Sequence, residues 1–517
     1  MTPWAATYAG RAVEVVTLFT PRADFDYVRL PVRYLRVDWI AGAILDVEVP
    51  AGMKMPRVLP ERGRSVAGET GRGVSVQFDL PGRWVVEWPD GPRLCVFVDP
   101  PEAWPLPEGA RYASEFGLQP GVDRPQTDTL NHALLALSDA GGGVLVLGPG
   151  HYRTGTVILR SRVTLYLQEG AVLQAADDLD QFPLEPEERI NRDLPPSLMP
   201  DARRRLILGE GIEHAAILGR GVICGDGSEW RRRHTHPRCN TNLVRLVDSR
   251  HVRIEGVILR DSEQWSVHLL HCRDIDLRWV KVVTEIPPCG WDAWKHPGSR
   301  SLWNNADGVN PDSSQRVRIE DSFFHTGDDC VPVKNTSTWQ GRLADVRDIV
   351  VRRVCMISSV TALKVGTETL GGAMEDIVFE DIDIVSCGRA FAIDMKDGAT
   401  ARRIVFRDIR VHRCNRPFDI WVLRRADHPQ QRRFSSVQDV LLERVDFRRT
   451  RIEPEGWESH ISGLTAVHRI EGVRFRHVTW EGAPLRALTA PEVRVNEHVS
   501  GVIIEPRVGS GSERSQP

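Results

Sequence analysis

The chain has 517 residues, 41% of them hydrophobic, and a formal net charge of −3, so it can bury a large core but has no bulk attraction to nucleic acid or an anionic membrane. No segment approaches the roughly 18 unbroken apolar residues of a membrane span, and residues 1–20 lack the pattern of a secretory signal. Nine thinly spread cysteines do not resemble a disulfide framework. We therefore expect a cytoplasmic protein with no nucleic-acid or membrane partner, and the oligomeric state stays open.

The first part of the chain, residues 1–115, predicts a small all-β domain of the sandwich type. It lacks the repeat described below, and a hairpin is expected between Arg83 and Val98. We expect this domain to pack against its neighbour, with carbohydrate binding as the alternative. Other strand-like runs lie at residues 11–19, 27–39, 44–49 and 74–79.

A single amphipathic helix is predicted at residues 127–139. Leu130, Leu134 and Leu137 share one helical face behind a Thr/Asp start, and three glycines follow the helix. Such a helix would cover the open end of a repetitive β structure, which otherwise exposes apolar core and strand edges.

From about residue 205 onward, a short apolar pattern keeps returning, and from Val317 onward its copies lie 27 to 36 residues apart. Each copy has β periodicity, and no helical pattern lies between copies, as is typical of a parallel β-helix. We assign residues 116–507 to this solenoid and residues 508–517 to a disordered tail. The copies include Val252/Ile254, Ile275/Leu277, Val317/Ile319, Ile349/Val351, Ile377/Phe379, Ile404/Phe406, Val440/Leu442 and Val473/Phe475.

Three aspartates carry the chemical signal. Asp307 lies in an Asn-Ala-Asp-Gly run that begins at Asn305, and the pair Asp328-Asp329 follows about one coil later. This spacing can stack three carboxylates on one face of a solenoid. Clustered carboxylates suit acid and base catalysis of glycosidic bond hydrolysis, because mutual repulsion and burial keep a proton on one of them near neutral pH.

The segment 305–334, together with the first coils at 141–173, resembles the polygalacturonase-like enzymes of glycoside hydrolase family 28. The similarity covers roughly residues 125–480. The resemblance implies a right-handed parallel β-helix that hydrolyses galacturonide linkages with inversion and needs no metal or other cofactor. It also implies that Asp328 is the general acid and that Asp307 and Asp329 activate water.

The chain departs from this family at two positions. Where the family has a histidine one coil after the paired aspartates, this chain has Thr361, and nearby Lys364 could supply the missing cation. The family's Arg-Ile-Lys aligns with Asp394-Met395-Lys396, which keeps the lysine and replaces the arginine. Because an aspartate would repel a uronate, the change favours a neutral sugar that donates to Asp394, unless Asp394 pairs with one of these lysines.

Lysine is scarce, with six residues among 67 basic ones. Lys334, Lys364 and Lys396 recur about once per coil, so we expect their ammonium groups to converge on the paired aspartates, with chance as the alternative.

Other candidates for substrate binding are weaker. Glu368 could reach the sugar or only close a turn. Trp265 could serve as a sugar platform or as core filler, and His268 beside it could be structural. An insertion at residues 285–303 predicts a subsite wall or lid, and hence action from a chain end. Its aromatic residues are Trp291, Trp294 and Trp303.

Three classes of function remain open. The first is an inverting glycosidase acting on an oligosaccharide or polysaccharide, and the second is a polysaccharide lyase or uronate epimerase on the same solenoid. The third is a carbohydrate-binding solenoid without catalysis. A metal site is not expected, because His234, His236 and Cys239 form one short cluster without a second pair of ligands.

Overall fold

The computed structural model describes thirteen segments of the chain. They are residues 4–20, 31–48, 56–70, 73–89, 92–101, 106–183, 205–229, 242–286, 305–336, 344–424, 434–450, 458–489 and 492–506. The predicted tail, the tryptophans of the 285–303 insertion and the His234–Cys239 cluster lie outside these residues.

The N-terminal residues form two five-stranded sheets, in the orders β2-β1-β5-β8-β7 and β3-β4-β10-β9-β6. Apolar residues such as Leu35, Val47 and Val86 alternate along the strands and meet in a shared core, which makes the pair a sandwich. The hairpin predicted near residues 83–98 is present, because β9 and β10 pair in antiparallel fashion. The strands are β1 (Ala5–Tyr8), β2 (Arg11–Val13), β3 (Val16–Leu18), β4 (Val32–Asp38), β5 (Ile44–Glu48), β6 (Arg57–Leu59), β7 (Arg64–Thr70), β8 (Gly73–Phe78), β9 (Gly82–Glu87) and β10 (Arg93–Asp99).

The remaining strands form one continuous parallel solenoid, the right-handed β-helix that the repeat predicts. It starts with β11, inside the stretch predicted as the first domain. Its first half contains β11 (Arg111–Tyr112), β12 (Gly143–Leu147), β13 (Gly150–Thr154), β14 (Val157–Ile158), β15 (Val163–Leu167), β16 (Ala171–Ala175), β17 (Ile207–Glu210), β18 (Ala216–Gly219), β19 (Val222–Cys224), β20 (Val244–Val247), β21 (Arg250–Glu255), β22 (Ile258–Arg260), β23 (Val267–Leu270), β24 (Arg273–Arg278) and β25 (Lys281–Val283).

The second half of the solenoid carries the three aspartates. Its strands are β26 (Val309–Asp312), β27 (Gln315–Glu320), β28 (Phe323–Thr326), β29 (Val331–Asn335), β30 (Val346–Arg352), β31 (Cys355–Ser358), β32 (Thr361–Thr369), β33 (Ala373–Met395), β34 (Thr400–Val411), β35 (Cys414–Val422), β36 (Ser436–Phe447), β37 (Ser459–Ser462), β38 (Ile470–Arg476), β39 (Thr479–Trp480), β40 (Ala483–Pro484), β41 (Val493–Val495), β42 (Val499–Ser500) and β43 (Ile503–Glu505).

Three parallel sheets wrap around the solenoid. The first contains β21, β24, β27 and β30, the second β22, β25, β28 and β31, and the third β23, β26, β29 and β32. The long strand β33 runs through all three. The predicted apolar copies pair residue for residue in the first sheet, where Val317 pairs with Ile349 and Ile349 with Ile377. All three are fully buried, because each inward side chain stacks on the equivalent one of the next coil.

The predicted capping helix is present as α1 (Thr127–Asp139). It buries Leu130, Leu134 and Leu137 against the first coils, so it closes the apolar end of the solenoid as its pattern indicates. Two short 3-10 helices lie at Ala113–Phe116 and Leu179–Gln181, and residues 227–229 are also helical. No helix among the described residues is long and apolar enough to cross a membrane.

The sandwich packs against the outer face of the second sheet. Phe97 stacks at a tilt on Phe323, with 5.0 Å between ring centroids, inside an apolar cluster that both parts of the chain share. A fully buried ion pair crosses the same boundary, where Lys281 Nζ donates to Asp99 Oδ2 at 2.7 Å and Arg83 lies 2.7 Å from Asp99 Oδ1. Among the residues that the structure describes, the strands of the solenoid that contribute to this shared apolar cluster belong to the second sheet, and the aspartates lie on the third.

Candidate active site

The three aspartates predicted from the sequence meet at the edge of the third sheet. Asp307 lies just before β26, and Asp328 and Asp329 lie in the turn between β28 and β29. One carboxylate oxygen of each lies within 4.8 Å of the other two. Only 1%, 7% and 2% of the respective residue surfaces are exposed, so Asp328 is the most accessible.

Burial changes the protonation of this cluster. Burial and the charge of Asp329 raise the pKa of Asp328 to about 7. Burial also raises the pKa of Asp307 well above its ordinary value, against the opposing effect of Lys334. A proton is therefore retained within the cluster near neutral pH, as expected for carboxylates that cannot all ionise in a buried site.

Backbone and side-chain hydrogen bonds hold the paired aspartates in place. The Asp329 amide donates to Asp328 Oδ1 at 2.8 Å, and the Thr361 amide donates to Asp329 Oδ1 at 3.1 Å. The hydroxyl of Ser358 donates to the Asp328 carbonyl at 2.8 Å. By contrast, neither carboxylate oxygen of Asp307 accepts a hydrogen bond from any described residue, which leaves lone pairs for water or a sugar hydroxyl.

Two of the three predicted lysines reach the cluster. Lys364 Nζ donates to Asp329 Oδ2 at 2.7 Å, and Lys334 Nζ lies 3.4 Å from Asp307 Oδ2. Lys334 also donates to Glu368 Oε2 at 3.0 Å, so Glu368 contacts the site through this lysine. Burial lowers the pKa of both ammonium groups, but Glu368 for Lys334 and Asp329 for Lys364 more than offset that effect and keep both lysines charged.

The lysines do not form one stack, however. Lys364 pairs in register with Pro332 and with Ala392, so it belongs to a different column from Lys334. Lys396 follows the end of β33 and is half-buried, and its charge acts on Asp394. Similar spacing along the sequence therefore did not place the three ammonium groups in the same column.

An aromatic group lines the other side of the aspartates. Lys334 Nζ lies 4.2 Å from the ring centroid of Trp265, which is only partly buried. The Asn305 side chain lies between Trp265 and Asp328, and in the orientation that satisfies both it donates to Asp328 Oδ2 at 3.1 Å and accepts from the indole at 3.2 Å. Trp265 and Asn305 thus lie in the site, and Trp265 is not core filler.

His268 packs against the ring of Trp265. Its ring meets Trp265 edge to face at 4.9 Å between centroids, and its Nε2 lies 3.0 Å from Asp312 Oδ2. Burial lowers the pKa of His268 to about 4, so the ring is neutral near neutral pH. Its edge-to-face contact indicates that His268 restrains the position of the Trp265 ring.

Asp394 pairs with an arginine that was not considered from the sequence, Arg389. Arg389 Nη2 donates to Asp394 Oδ2 at 2.8 Å, and Nη1 donates to Asp419 Oδ2 at 2.9 Å. The same guanidinium donates to Thr361 Oγ1 at 3.2 Å from Nη2 and at 3.3 Å from Nε. Although burial raises the pKa of Asp394, Arg389 reverses this effect and the carboxylate is ionised. The premise of an unpaired, repelling aspartate is therefore corrected.

Arg389 also belongs to the site, although it was not predicted from the sequence. Continuing the register of the third sheet to the residues two positions before β23, β26 and β29 places the site residues in one column across successive coils. Counting along each coil from the aspartates would have found Arg389, but only with the register known. The column contains Trp265, Asp307, Asp329, Thr361, Arg389 and Arg416.

Among the described residues, the group that could hold a metal ion is this same trio of aspartates. Lys364 and Lys334 already compensate the charge of Asp329 and Asp307. Two ammonium groups so close would repel a divalent cation, so the cluster is better suited to a proton and a water molecule than to a metal.

Comparison with known proteins finds a matching family model and similar proteins. Residues 198–420, which include the three aspartates, Arg389 and Asp394, match the model of Glycosyl hydrolases family 28. A probable polygalacturonase of Vitis vinifera is 31% identical over 254 residues, which are 47% of this chain and 47% of that protein. The chain thus spans about half the length of the curated relatives it matches.

Solved structures agree on the fold. A family 28 exopolygalacturonase of Yersinia enterocolitica has a TM-score of 0.57 at 16% identity, covering 96% of this chain and 99% of that one. An exopolygalacturonase of Thermotoga maritima has a TM-score of 0.56 at 19% identity, covering 78% and 93%. Residues 198–420 of the chain are thus similar to glycoside hydrolase family 28, and the solved exopolygalacturonases share its β-helix fold.

Proposed function

We propose that the chain is a glycoside hydrolase that cleaves a short saccharide at the Asp307, Asp328 and Asp329 cluster. The observation that carries the proposal is the burial of three carboxylates within 4.8 Å of one another, with a proton retained among them. A protonated carboxyl can donate to the leaving oxygen while an ionised one takes a proton from water. Buried aspartates in a purely structural turn would need neither a carboxyl that donates a proton nor a carboxylate that accepts one.

The contacts suggest which aspartate performs which step. Asp328 is the most exposed of the three, and burial raises its pKa to about 7, so it suits the general acid. Asp329 accepts from Lys364 and from the Thr361 amide, which stabilise its ionised form. Neither oxygen of Asp307 accepts a hydrogen bond from a described residue, although Lys334 Nζ lies 3.4 Å from Oδ2, so Asp307 can orient the attacking water together with Asp329.

Inversion is the proposed stereochemical outcome. The closest oxygens of the cluster are nearer than the roughly 6.5–9.5 Å usual between the acid and base of inverting enzymes. Asp307 and Asp329 would together hold the water on the face of the sugar ring opposite the leaving oxygen, as inversion requires. Nuclear magnetic resonance of the first-formed product reads the anomer directly, and product with the retained configuration would reject this part of the proposal.

Action from a chain end is also proposed. The connection between β25 and β26 runs from Val283 to Val309, whereas the equivalent connections before β23 and β29 run only from Arg260 to Val267 and from Thr326 to Val331. The proposal rests on this greater length of chain directly before Asp307. Release of single terminal sugars from oligosaccharides would support exo action, and early internal fragments would contradict it.

The test of the reaction is Asp328→Asn, which should lower turnover by roughly 10²–10⁴-fold. Removal of the acid matters less for an aryl glycoside whose leaving group needs no proton, so dinitrophenyl glycosides should recover more activity than alkyl glycosides. Asp307→Asn and Asp329→Asn should show no such recovery. The control is Asp321→Asn, which removes a carboxylate that pairs with Arg353 away from the cluster.

Near-normal hydrolysis by Asp328→Asn would reject the assignment. An unsaturated product that absorbs in the ultraviolet would instead favour a lyase, and saccharide binding without product would favour a non-catalytic solenoid.

A further inference from the structure

The cations around the cleft are already paired with carboxylates of the protein. Lys334 lies against Glu368 and Asp307, and Lys364 lies against Asp329. Further along the third sheet, Arg389 binds Asp394 and Asp419, and Arg416 Nη1 lies 2.5 Å from Asp419 Oδ2. Lys396 acts electrostatically on Asp394. A substrate carboxylate would therefore meet positive charges that carboxylates of the protein already neutralise.

The hydrogen bonds of Arg389 show most clearly that the cations are already paired. Its Nη2 and Nη1 contact the two oxygens of Asp394 at 2.8 and 3.4 Å, and Nη1 also contacts Asp419 at 2.9 Å. Its remaining donors point to Thr361 Oγ1. A guanidinium recognises a carboxylate through a pair of parallel hydrogen bonds, and here the carboxylate of Asp394 occupies that position.

The position of Asp394 makes this pairing relevant to substrate. It lies in register with Gly366 of β32 and Trp421 of β35 on the third sheet. Trp421 is half-buried, with Arg389 Cζ 5.9 Å and Arg416 Cζ 5.6 Å from its ring. A partly exposed indole flanked by hydrogen-bonding groups suits the apolar face of a sugar ring.

We propose that Asp394 is a built-in carboxylate that occupies Arg389 and thereby makes this part of the cleft specific for a sugar without a carboxylate at that position. This rests on the proposed glycosidase function. The carboxylate of Asp394 accepts the hydrogen bonds with which the guanidinium would otherwise bind a uronate. The site thus selects against an anionic ring because its arginine is already occupied.

The experiment compares sugars that differ only at C6. Binding of galactose and galacturonate, glucose and glucuronate, and mannose and mannuronate is titrated by saturation-transfer magnetic resonance on the full chain carrying Asp328→Asn. Because turnover is not needed, the result stands even when the proposed hydrolysis fails. In each pair that binds, the hexose should bind more tightly than its uronate.

Substitution of Asp394 should reverse this preference. Asp394→Asn and Asp394→Ala free the guanidinium and remove the negative charge, so uronate affinity should rise on the order of tenfold to a hundredfold at low salt, with less gain at high salt. The double change Arg389→Gln with Asp394→Asn removes both charges and should lose most of that gain. Asp408→Asn, which breaks a comparable pair with Arg444 on an exposed edge, should change neither affinity.

Two results would overturn the proposal. One is that the chain with Asp394 and Arg389 intact binds a uronate as tightly as its hexose, or binds no hexose in the panel. The other is an Asp394 variant that folds, as judged by circular dichroism and melting temperature, without any gain in uronate affinity. The comparison of hexose and uronate affinity in the chain with Asp394 intact decides the question even if every Asp394 variant fails to fold.

Discussion

Lys364 donates to Asp329 at 2.7 Å from a position one coil further along the solenoid. The resemblance to family 28 places a histidine near this point, where this chain has Thr361. The ammonium of Lys364 therefore supplies a permanent positive charge next to the paired aspartates. It lowers the pKa of Asp328 and of Asp307, against the larger effect of burial.

Lys364→Met should therefore reduce turnover by about 10- to 100-fold and move the pH–rate profile. Loss of the cation raises the pKa of Asp328 and Asp307, so both limbs of the profile should shift to higher pH. Lys364→Arg keeps the charge and should retain the wild-type profile. The measurement is kcat/KM across the pH range, and an unshifted profile in Lys364→Met would refute this role.

Lys396→Ala should impair turnover or substrate affinity far more than stability. Lys396 is half-buried beyond the end of β33, so its side chain contributes little to the core, while its charge acts on Asp394 in the cleft. We expect a loss of about tenfold in kcat/KM, with the free energy of unfolding changed by roughly 0.5 kcal/mol or less. Kinetics and denaturant melts on the same preparation test this. A stability loss without a kinetic effect would contradict it.

Asp328 should make the fold less stable as pH rises. Its pKa is raised to about 7 in the folded state, so the folded state binds the proton more tightly than the unfolded state. The associated stability is present below about pH 4 and is lost as pH rises through about 7. Asp328→Asn does not titrate, so its stability relative to wild type should increase by about 1–3 kcal/mol between pH 5 and pH 8.

Denaturant unfolding at the two pH values measures this difference. Asp408→Asn is the control, because its bond to Arg444 lowers the pKa of Asp408 and leaves it ionised over the whole interval. A pH-independent difference between Asp328→Asn and wild type would show that Asp328 is not a proton carrier in the folded state.

Lys281→Met should destabilise the contact between the sandwich and the solenoid. Lys281 is fully buried and donates to Asp99 at 2.7 Å, so its loss leaves Asp99 with less compensating charge away from water. We expect a loss of about 3–5 kcal/mol, with partial recovery in the double variant Lys281→Met and Asp99→Asn. Activity per folded molecule should be unchanged, and a selective loss of activity would instead give the sandwich a functional role.

The sequence by itself determined the solenoid, its capping helix and the three aspartates. Inward apolar pairs such as Ile349/Val351 recur because every coil must bury the same positions against its neighbour, and this periodicity is local and visible. The aspartates were found because they lie on consecutive coils within one short segment. Because Asp307 and the Asp328-Asp329 pair lie about one coil apart in the sequence, their spacing was enough to predict that they cluster.

Only the tertiary structure decided the partners of the outward polar residues. Coils differ in length, so equal intervals along the chain do not give equal positions on the sheet, and Lys364 came to lie beside Pro332 and not beside Lys334. The pairing of Arg389 with Asp394 depends on side-chain geometry within one strand and on Asp419 from the next coil. Polar contacts of this kind follow from register and burial, which no periodic pattern encodes.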